Sequence, residues 1–336
     1  MFSIVTWNVE NFTKPGDDAS AESQQIFTQK LDLLAQTILA DDPDVIALQE
    51  ILKPEALTAL QQKLQNAWPH AQLSSLPDGR GIRVAFLSKH PILESEDRAD
   101  FPSGPSLNVL NLTLDGLGEP LTRMGRGALR IQVDPGTGPI ECITTHLKSK
   151  LLSYPPFPGQ DSRFNPRDED ERAQAAGVAL HRRAAEAVTV RLWVNEILEQ
   201  SPARAVIVLG DLNDVPEAQT SLLLNGPPGS EIGTRGFNPK DKGDPQRLFN
   251  LAPVIPEEER FSRVFRGRGE LLDQILVSEE CLPRQDDGKR VLPEARSRVD
   301  FADADLPSVT EDPGDRNEKA VPDHAPVLAR FAHFGS

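Results

Sequence analysis

The sequence is poor in cysteine, in cationic charge and in long apolar runs, and each shortage removes a class of protein. Its only cysteines, Cys142 and Cys281, lie far apart in different contexts. That argues against a disulfide framework and fits a reducing compartment. No apolar run approaches the roughly 20 residues that a membrane helix needs, so no membrane span is expected. The opening stretch MFSIVTWNVENF runs directly into alternating, strand-like sequence, without the charged, apolar and small-residue succession of a secretory leader. A cytoplasmic location is the expectation, although a leader already removed leaves the same record. Lysine and arginine number 36 against 51 aspartates and glutamates, a formal net charge of −15. Such a chain lacks the basic footprint of a non-specific polyanion binder. A polyanionic substrate stays open, because metal ions and local arginines can supply positive charge where the chemistry occurs. One tyrosine and three tryptophans leave few rings for base stacking.

What is present is the composition of a soluble globular protein, 38% hydrophobic and 26% charged over 336 residues. Apolar or alternating runs recur at Phe2 to Val9, Val45 to Leu48, Ile82 to Leu87, Leu107 to Leu112, Ala128 to Val133, Ile140 to Thr145, Ala205 to Leu209, Phe261 to Phe265, Leu271 to Val277 and Pro326 to Phe331. Helical periodicity is clearest in QQIFTQKLDLLAQTILA, in PEALTALQQKLQNAW and in DEDERAQAAGVALHRRAAEAVTVRLWVNEILEQ. Helices between strand pairs predict a layered α/β architecture. Residues 153–168 (SYPPFPGQDSRFNPRD) and the acidic, proline-containing 283–322 read as long surface loops. Strand-like sequence resumes after each, so 1–336 reads as a single domain.

The informative feature is how the strands end. VIVLGDLND carries four apolar residues, implying burial on both faces, into Asp211, Asn213 and Asp214. If the extended geometry continues past Gly210, Asp211 and Asn213 point the same way. A turn is the bland reading of Gly, Asp and Asn, but similar ends accumulate. IVTWNVEN presents Asn8 and Glu10, DVIALQEI presents Gln49 and Glu50, ECITTHLKSK presents His146 and Lys148, LLDQILVS places Asp273 in an apolar run, and VPDHAPV sets Asp323 and His324 before the last strand. A buried carboxylate costs several kcal/mol unless it is paired or binds a metal. Oxygen donors without cysteine suit a hard divalent cation, Mg²⁺ or Mn²⁺. The two histidines add a proton acceptor and a proton donor near neutral pH. Together they match hydrolysis of a phosphate ester.

TWNVEN, ALQE, GIRVAFLSK, TTHLKSK, GDLND, LLDQILVS and PDHAPV stand in the order and roughly at the spacing of the endonuclease/exonuclease/phosphatase superfamily, which the chain resembles from Ile4 to Phe331. The resemblance implies a deoxyribonuclease I-like, four-layer α/β/β/α sandwich of two mixed sheets, with the active site at one edge. It also implies Glu50 as the principal metal ligand with Asn8 beside it, for one or two ions. Asp211 and Asn213 are then the pair that contacts the attacking water, the phosphate or a second metal. His146 stands near the leaving group, His324 is the general base, Asp273 orients it, and Asp323 is a further metal or hydrogen-bonding carboxylate. The chain departs from the family pattern at Pro322, where serine is common, and at Gln274, where Arg, His or Tyr is more usual.

Arg83 and Lys148 are candidates to contact substrate phosphate, as is Arg266 within RFSRVFRGRG, which concentrates four arginines in an acidic protein. The alternative for each is a solvent-facing cation. Arg182, Arg183 and Glu186 on the long helix read as surface ion pairs of little consequence. His70, His90 and His333 fall in no motif and read as structural, and Cys142 reads as packed. The expected partner is a phosphate-ester substrate, nucleic acid among the candidates, and no obligate protein partner is evident. A nuclease-like phosphodiesterase is favoured by the order of NVEN, HLKSK and LLDQ; a phosphodiesterase or phosphatase for small or lipid-headgroup esters is favoured by the acidic charge. A catalytically dead module on the same scaffold requires loss of a metal or proton-transfer residue, and none is missing.

Overall fold

The computed structural model describes residues 1–102, 107–160, 163–226, 228–240, 244–301, 316 and 320–332. In chain order its strands are β1 (Phe2–Phe12), β2 (Val45–Ile51), β3 (His70–Leu73), β4 (Arg83–Ser88), β5 (Ile92–Asp100), β6 (Val109–Thr113), β7 (Gly116–Leu121) and β8 (Arg123–Val133). They continue as β9 (Ile140–His146), β10 (Ala205–Asp211), β11 (Leu248–Asn250), β12 (Arg263–Phe265), β13 (Arg268–Glu270), β14 (Asp273–Ser278), β15 (Glu294–Ser297) and β16 (Val327–Phe331). The helices are α1 (Ala21–Asp41), α2 (Pro54–Lys63), α3 (Glu169–Gln200) and α4 (Gln219–Asn225). Among the described residues no helix is long and apolar enough to cross a membrane.

One six-stranded sheet runs β15-β16-β1-β2-β4-β3 and the other β11-β14-β10-β9-β8-β5. Each holds one parallel pair at its heart, β1 with β2 and β9 with β10, flanked by antiparallel neighbours. The pleat sends alternate residues to opposite faces, and here both faces are buried. Phe2 and Ile4 of β1 meet Ile207 and Leu209 of β10 between the sheets. Val5, Trp7 and Val9 pack instead on Leu34 and Ile38 of α1 and on Leu57 and Leu60 of α2. Val206 and Val208 turn the other way, onto Val190, Trp193 and Val194 of α3. Two sheets face to face with a helical layer on each outer side make the α/β/β/α sandwich. Full burial of each such side chain contributes about 1.5–3 kcal/mol.

Some elements differ from the sequence reading. Leu107 to Leu112 becomes β6 (Val109–Thr113), which pairs only with β7, and Phe261 to Phe265 becomes β12, which pairs only with β13. Their apolar residues alternate as in a sheet, but each lies in a separate two-stranded ribbon. Within 283–322, residues Glu294–Ser297 form β15 and extend the first sheet beside β16. Such a short edge strand is masked by surrounding polar residues. The 302–315 and 317–319 parts of that segment, and His333, lie outside the described residues. In 153–168, Tyr154 bridges Arg163 and is buried, while Asp168 caps α3 by accepting the Glu171 N–H, so this segment is pinned to the fold at both ends.

The topology fixes where the site falls. Parallel partners end at the same edge, and their antiparallel neighbours begin there. The ends of β1, β2, β9 and β10 and the starts of β14 and β16 therefore bring Asn8, Glu50, His146, Asp211, Asp273 and His324 to one edge of the sandwich.

Candidate active site

In the second sheet the ladder itself sets three residues in a row, because Asp211 is the Cα partner of His146 on one side and of Asp273 on the other. His146 Nε2 lies 3.1 Å from Asp211 Oδ2, and the Asn8 side-chain amide donates to that oxygen at 3.0 Å. His324 Nδ1 lies 2.6 Å from Asp273 Oδ2. Ser262 Oγ accepts the N–H groups of Leu272 and Asp273, both at 3.0 Å, and so fixes the start of β14. Gly210 is required for this register. Its φ is +146°, and a Cβ there would lie 1.9 Å from the Thr145 carbonyl oxygen of the neighbouring strand.

Asp211 and Asn213 do not continue as an extended pair. The strand stops at Asp211, Asn213 takes a φ of +53°, and its N–H donates back to Asp211 Oδ1 at 2.9 Å. The short Asn side chain tolerates this left-handed turn. Its amide donates to the Leu147 carbonyl at 3.0 Å, tying together the ends of β9 and β10.

On the first sheet the backbone is strained in the same place. Glu10, Asn11 and Glu50 all have positive φ, and the pairing of β2 slips at Glu50 against both β1 and β4. Such a bulge re-aims a side chain, and non-glycine residues in this region cluster at functional sites. Glu50 Oε1 is 3.5 Å from the Asn8 amide and Oε2 accepts the Asn11 N–H at 2.8 Å, so Asn8 links Glu50 to Asp211. Lys30, buried on α1, donates to the carbonyls of Val9 and Glu10; burial foremost brings its ammonium down to about 8. Glu10 itself accepts from buried Arg316 of the acidic segment at 2.5 Å.

Burial alone would raise both aspartates. At Asp211 the imidazoles of His146 and His324, with hydrogen bonds from His146 and Asn8, outweigh it and hold the carboxyl well below the usual range. At Asp273 burial prevails and the charge of Asp211 adds to it. Burial would lower His324, but Asp273, Asp323 and Asp211 push it up to about 10. Both shifts favour a proton held by the Asp273–His324 pair.

The donor set fits a hard divalent cation. One donor atom each of Asp211, Asp273 and His324 lie within 4.8 Å of one another. Asp273 Oδ1 is buried without a partner, and the nearby donors are carboxylate and amide oxygens. Glu50 stands outside that trio but is joined to Asp211 through Asn8.

The remaining sequence candidates separate. Asp323 sits next to His324 in sequence but pairs with Arg263 at 3.3 Å. Arg83, at the start of β4, has a buried Nε and meets no partner among the described residues. Lys148 is half-buried, and its ammonium donates to the carbonyls of Ser149 and Leu151 at 2.8 and 2.9 Å. Arg266 occupies the turn between β12 and β13 with its guanidinium over Phe265, whose ring is 42% exposed. His90 pairs with Asp44, and Cys142 is packed in the inter-sheet core.

The reading of Arg183 and Glu186 as surface residues is corrected, for both are buried. Glu186 accepts from the Gly125 and Lys148 N–H groups at 3.0 and 2.6 Å, and Arg183 pairs with Asp214 and donates to the Lys148 carbonyl. Strand ends from the second sheet cover this face of α3, and helical spacing alone could not reveal that. Gln274, the departure after Asp273, donates to the Asp214 carbonyl at 2.6 Å and accepts from Asn250 at 2.6 Å, supporting the turn after Asp211. Sequence reasoning missed Ser262, Gly210 and Trp7, whose indole N–H donates to the His324 carbonyl at 2.8 Å. Of these only Gly210, inside an apolar strand, carried a signal.

A family model described as the Endonuclease/Exonuclease/phosphatase family matches residues 5–303, ending before Asp323 and His324. No curated protein matches the chain. Solved structures extend the likeness over nearly the full length. Truncated TDP2 of Caenorhabditis elegans is 15% identical with a TM-score of 0.54, covering 98% of this chain and 97% of its own. TDP2 of D. rerio complexed with single strand DNA product is 15% identical with a TM-score of 0.53, covering 99% of each. The human Nocturnin catalytic domain with bound sulfate anion is 14% identical with a TM-score of 0.52, covering 98% of this chain and 94% of its own. At this identity the likeness concerns the fold.

Proposed function

The chain belongs to the endonuclease/exonuclease/phosphatase family, and from that premise we propose that it is a divalent-metal-dependent hydrolase of phosphate esters, a phosphodiesterase of the nuclease type. The observation that carries this is the buried contact of 2.6 Å between His324 and Asp273, set beside Asp211 and its His146 partner. His324 takes the proton of the attacking water while Asp273 holds its ring. His146 stands at the leaving oxygen. Glu50 and Asp211 would hold Mg²⁺ or Mn²⁺, with Asn8 and Asn213 fixing the two carboxylates and the turn beside them. An ion held there would supply positive charge to the phosphoryl oxygens. Positive charge held at Asp211 would offset one of the three carboxylates that push His324 up, and so would favour the proton-accepting ring. The unpartnered Nε of Arg83, at the start of β4, supports a role for this guanidinium in contacting substrate phosphate. Because the site draws on both sheets, the chain acts as one domain.

A nucleic acid substrate is supported by the exposed Phe265 with Arg266 and Arg268 on the β12–β13 ribbon, and by the DNA product bound in the TDP2 relative. A second reading, a small phosphate ester, is favoured by the net charge of −15 and by a depression beside His146. The test is a panel of plasmid DNA, single-stranded DNA, RNA, bis-p-nitrophenyl phosphate, p-nitrophenyl phosphate, sphingomyelin and an inositol polyphosphate, each with Mg²⁺, Mn²⁺ or EDTA. EDTA-sensitive cleavage of DNA or RNA is expected. Turnover confined to the small esters selects the second reading, and no metal-dependent turnover anywhere overturns the hydrolase assignment.

A further inference from the structure

His146 also lines a depression of about 320 Å³, whose walls carry Arg80, Arg126, Lys148 and Arg182 against Asp78 and Glu186. In a chain of net charge −15 this is a local excess of cations. Both acids are already occupied. Asp78 accepts the Arg80 and Ile82 N–H groups and pairs with Arg126 at 3.3 Å, while Glu186 accepts two backbone N–H groups and Arg182 Nε at 3.2 Å. These carboxylates position the cations without neutralising all of them.

Two positive groups are left over. The Lys148 ammonium meets two carbonyls and no carboxylate. Burial, and after it the charges of Arg182 and Arg126, bring it down to about 8. Arg182 uses its Nε on Glu186, and among the described residues its two terminal amino groups donate to nothing. Nor does that guanidinium swing freely into water: it lies over Gly125, where an added Cβ would fall 2.4 Å from Arg182 Nη2. An arginine held over a glycine and a lysine lining the same depression, with donors unspent, form a cradle for an anion.

We infer that this depression is a subsite for a second phosphate of the substrate, carried on the leaving-group side of the scissile ester and seated between Lys148 and Arg182. The inference rests on the reading that His146 stands at the leaving oxygen of a phosphate ester. It makes a doubly phosphorylated substrate, whether a bisphosphate or a nucleic acid with its flanking phosphate, the preferred one over a singly charged ester.

The test reads binding, so that it does not depend on turnover. The full chain with Mg²⁺ is titrated calorimetrically with thymidine 3′,5′-bisphosphate and with each thymidine monophosphate. The bisphosphate is expected to bind about tenfold or more tightly than either monophosphate, the gain from added charge-assisted hydrogen bonds. Arg182→Gln and Gly125→Ala are both expected to erase that preference; the second keeps the charge and displaces only the guanidinium. Equal affinities in the wild type overturn the inference, as does a preference that survives in both variants. Discrimination without hydrolysis of any ester keeps the subsite and sinks the hydrolase reading; hydrolysis without discrimination does the reverse.

Discussion

His324 donates or accepts through Nδ1 at 2.6 Å from Asp273 Oδ2, and neither side chain is open to solvent. Trp7 holds the carbonyl of the same histidine, so the residue is held at its backbone as well as at Nδ1 of its ring. Replacing Asp273 by Asn leaves the volume intact but removes the charge that holds the ring in one tautomer. Asp273→Asn is expected to lower kcat by about 10²-fold or more with KM little changed. Steady-state kinetics on bis-p-nitrophenyl phosphate decide this, and a fully active variant breaks the assignment of the pair.

Glu50 and Asp273 are rival candidates for the metal, one through its bulged backbone and its link to Asp211, the other through its place in the compact trio with Asp211 and His324. Because Asp273 Oδ2 is already committed to His324, Glu50→Gln is expected to weaken Mn²⁺ binding by about tenfold or more, whereas Asp273→Asn changes it by less. Calorimetric titration with Mn²⁺ separates the two. The reverse order of effects would place the ion between Asp211, Asp273 and His324.

How far the sequence reveals this arrangement depends on the kind of interaction. Runs such as VIVL and IVTW demand burial on two faces, so the layers and the polar strand ends are visible in one dimension. Of the six residues delivered to one edge, Asn8, Glu50, His146 and Asp211 stand at such ends, His324 stands before the last strand, and Asp273 reads as part of an apolar run. What packs opposite a residue is not visible in the same way. Glu186 and Arg183 have the spacing of surface residues and become buried only because the ends of β9 and β10 cover that face of α3. Ser262 in FSRVF has no periodic signature, yet it fixes two backbone N–H groups at the start of β14. Whether Asn213 continues the strand or turns stays open in the sequence, because the positive φ that turns it is a backbone choice that Asn tolerates without requiring.

Gly210 offers a test of the scaffold. A methyl at this position would meet the Thr145 carbonyl at 1.9 Å, on a central strand that cannot move aside, and the φ of +146° is foreign to alanine. Gly210→Ala is expected to cost about 3 kcal/mol or more. Since Asp211 follows directly, activity should fall as well. Urea denaturation measures the first effect; a loss under about 1 kcal/mol would show that the spacing of β9 and β10 is not set by this glycine.

The proton on His324 links the site to stability. The folded ring, pushed from 6.5 up to about 10, keeps its proton across a range where the unfolded chain releases it. Between those values the native state binds more protons, so this group's contribution is complete below about 6.5 and is lost as pH rises toward 10. Asp211, held low, acts with the other sign: its contribution is present above the usual carboxylate range and is lost only in acid. Lys30 and Lys148, brought down to about 8, make stability rise above that pH as their buried charge is relieved. A comparison of wild type with His324→Asn cancels these other groups. Urea denaturation of both in metal-free buffer across the window is expected to show the wild type's advantage shrinking as pH rises. An advantage that stays constant would mean that the ring carries no extra proton in the folded protein, and that Asp273 orients a neutral imidazole from the start.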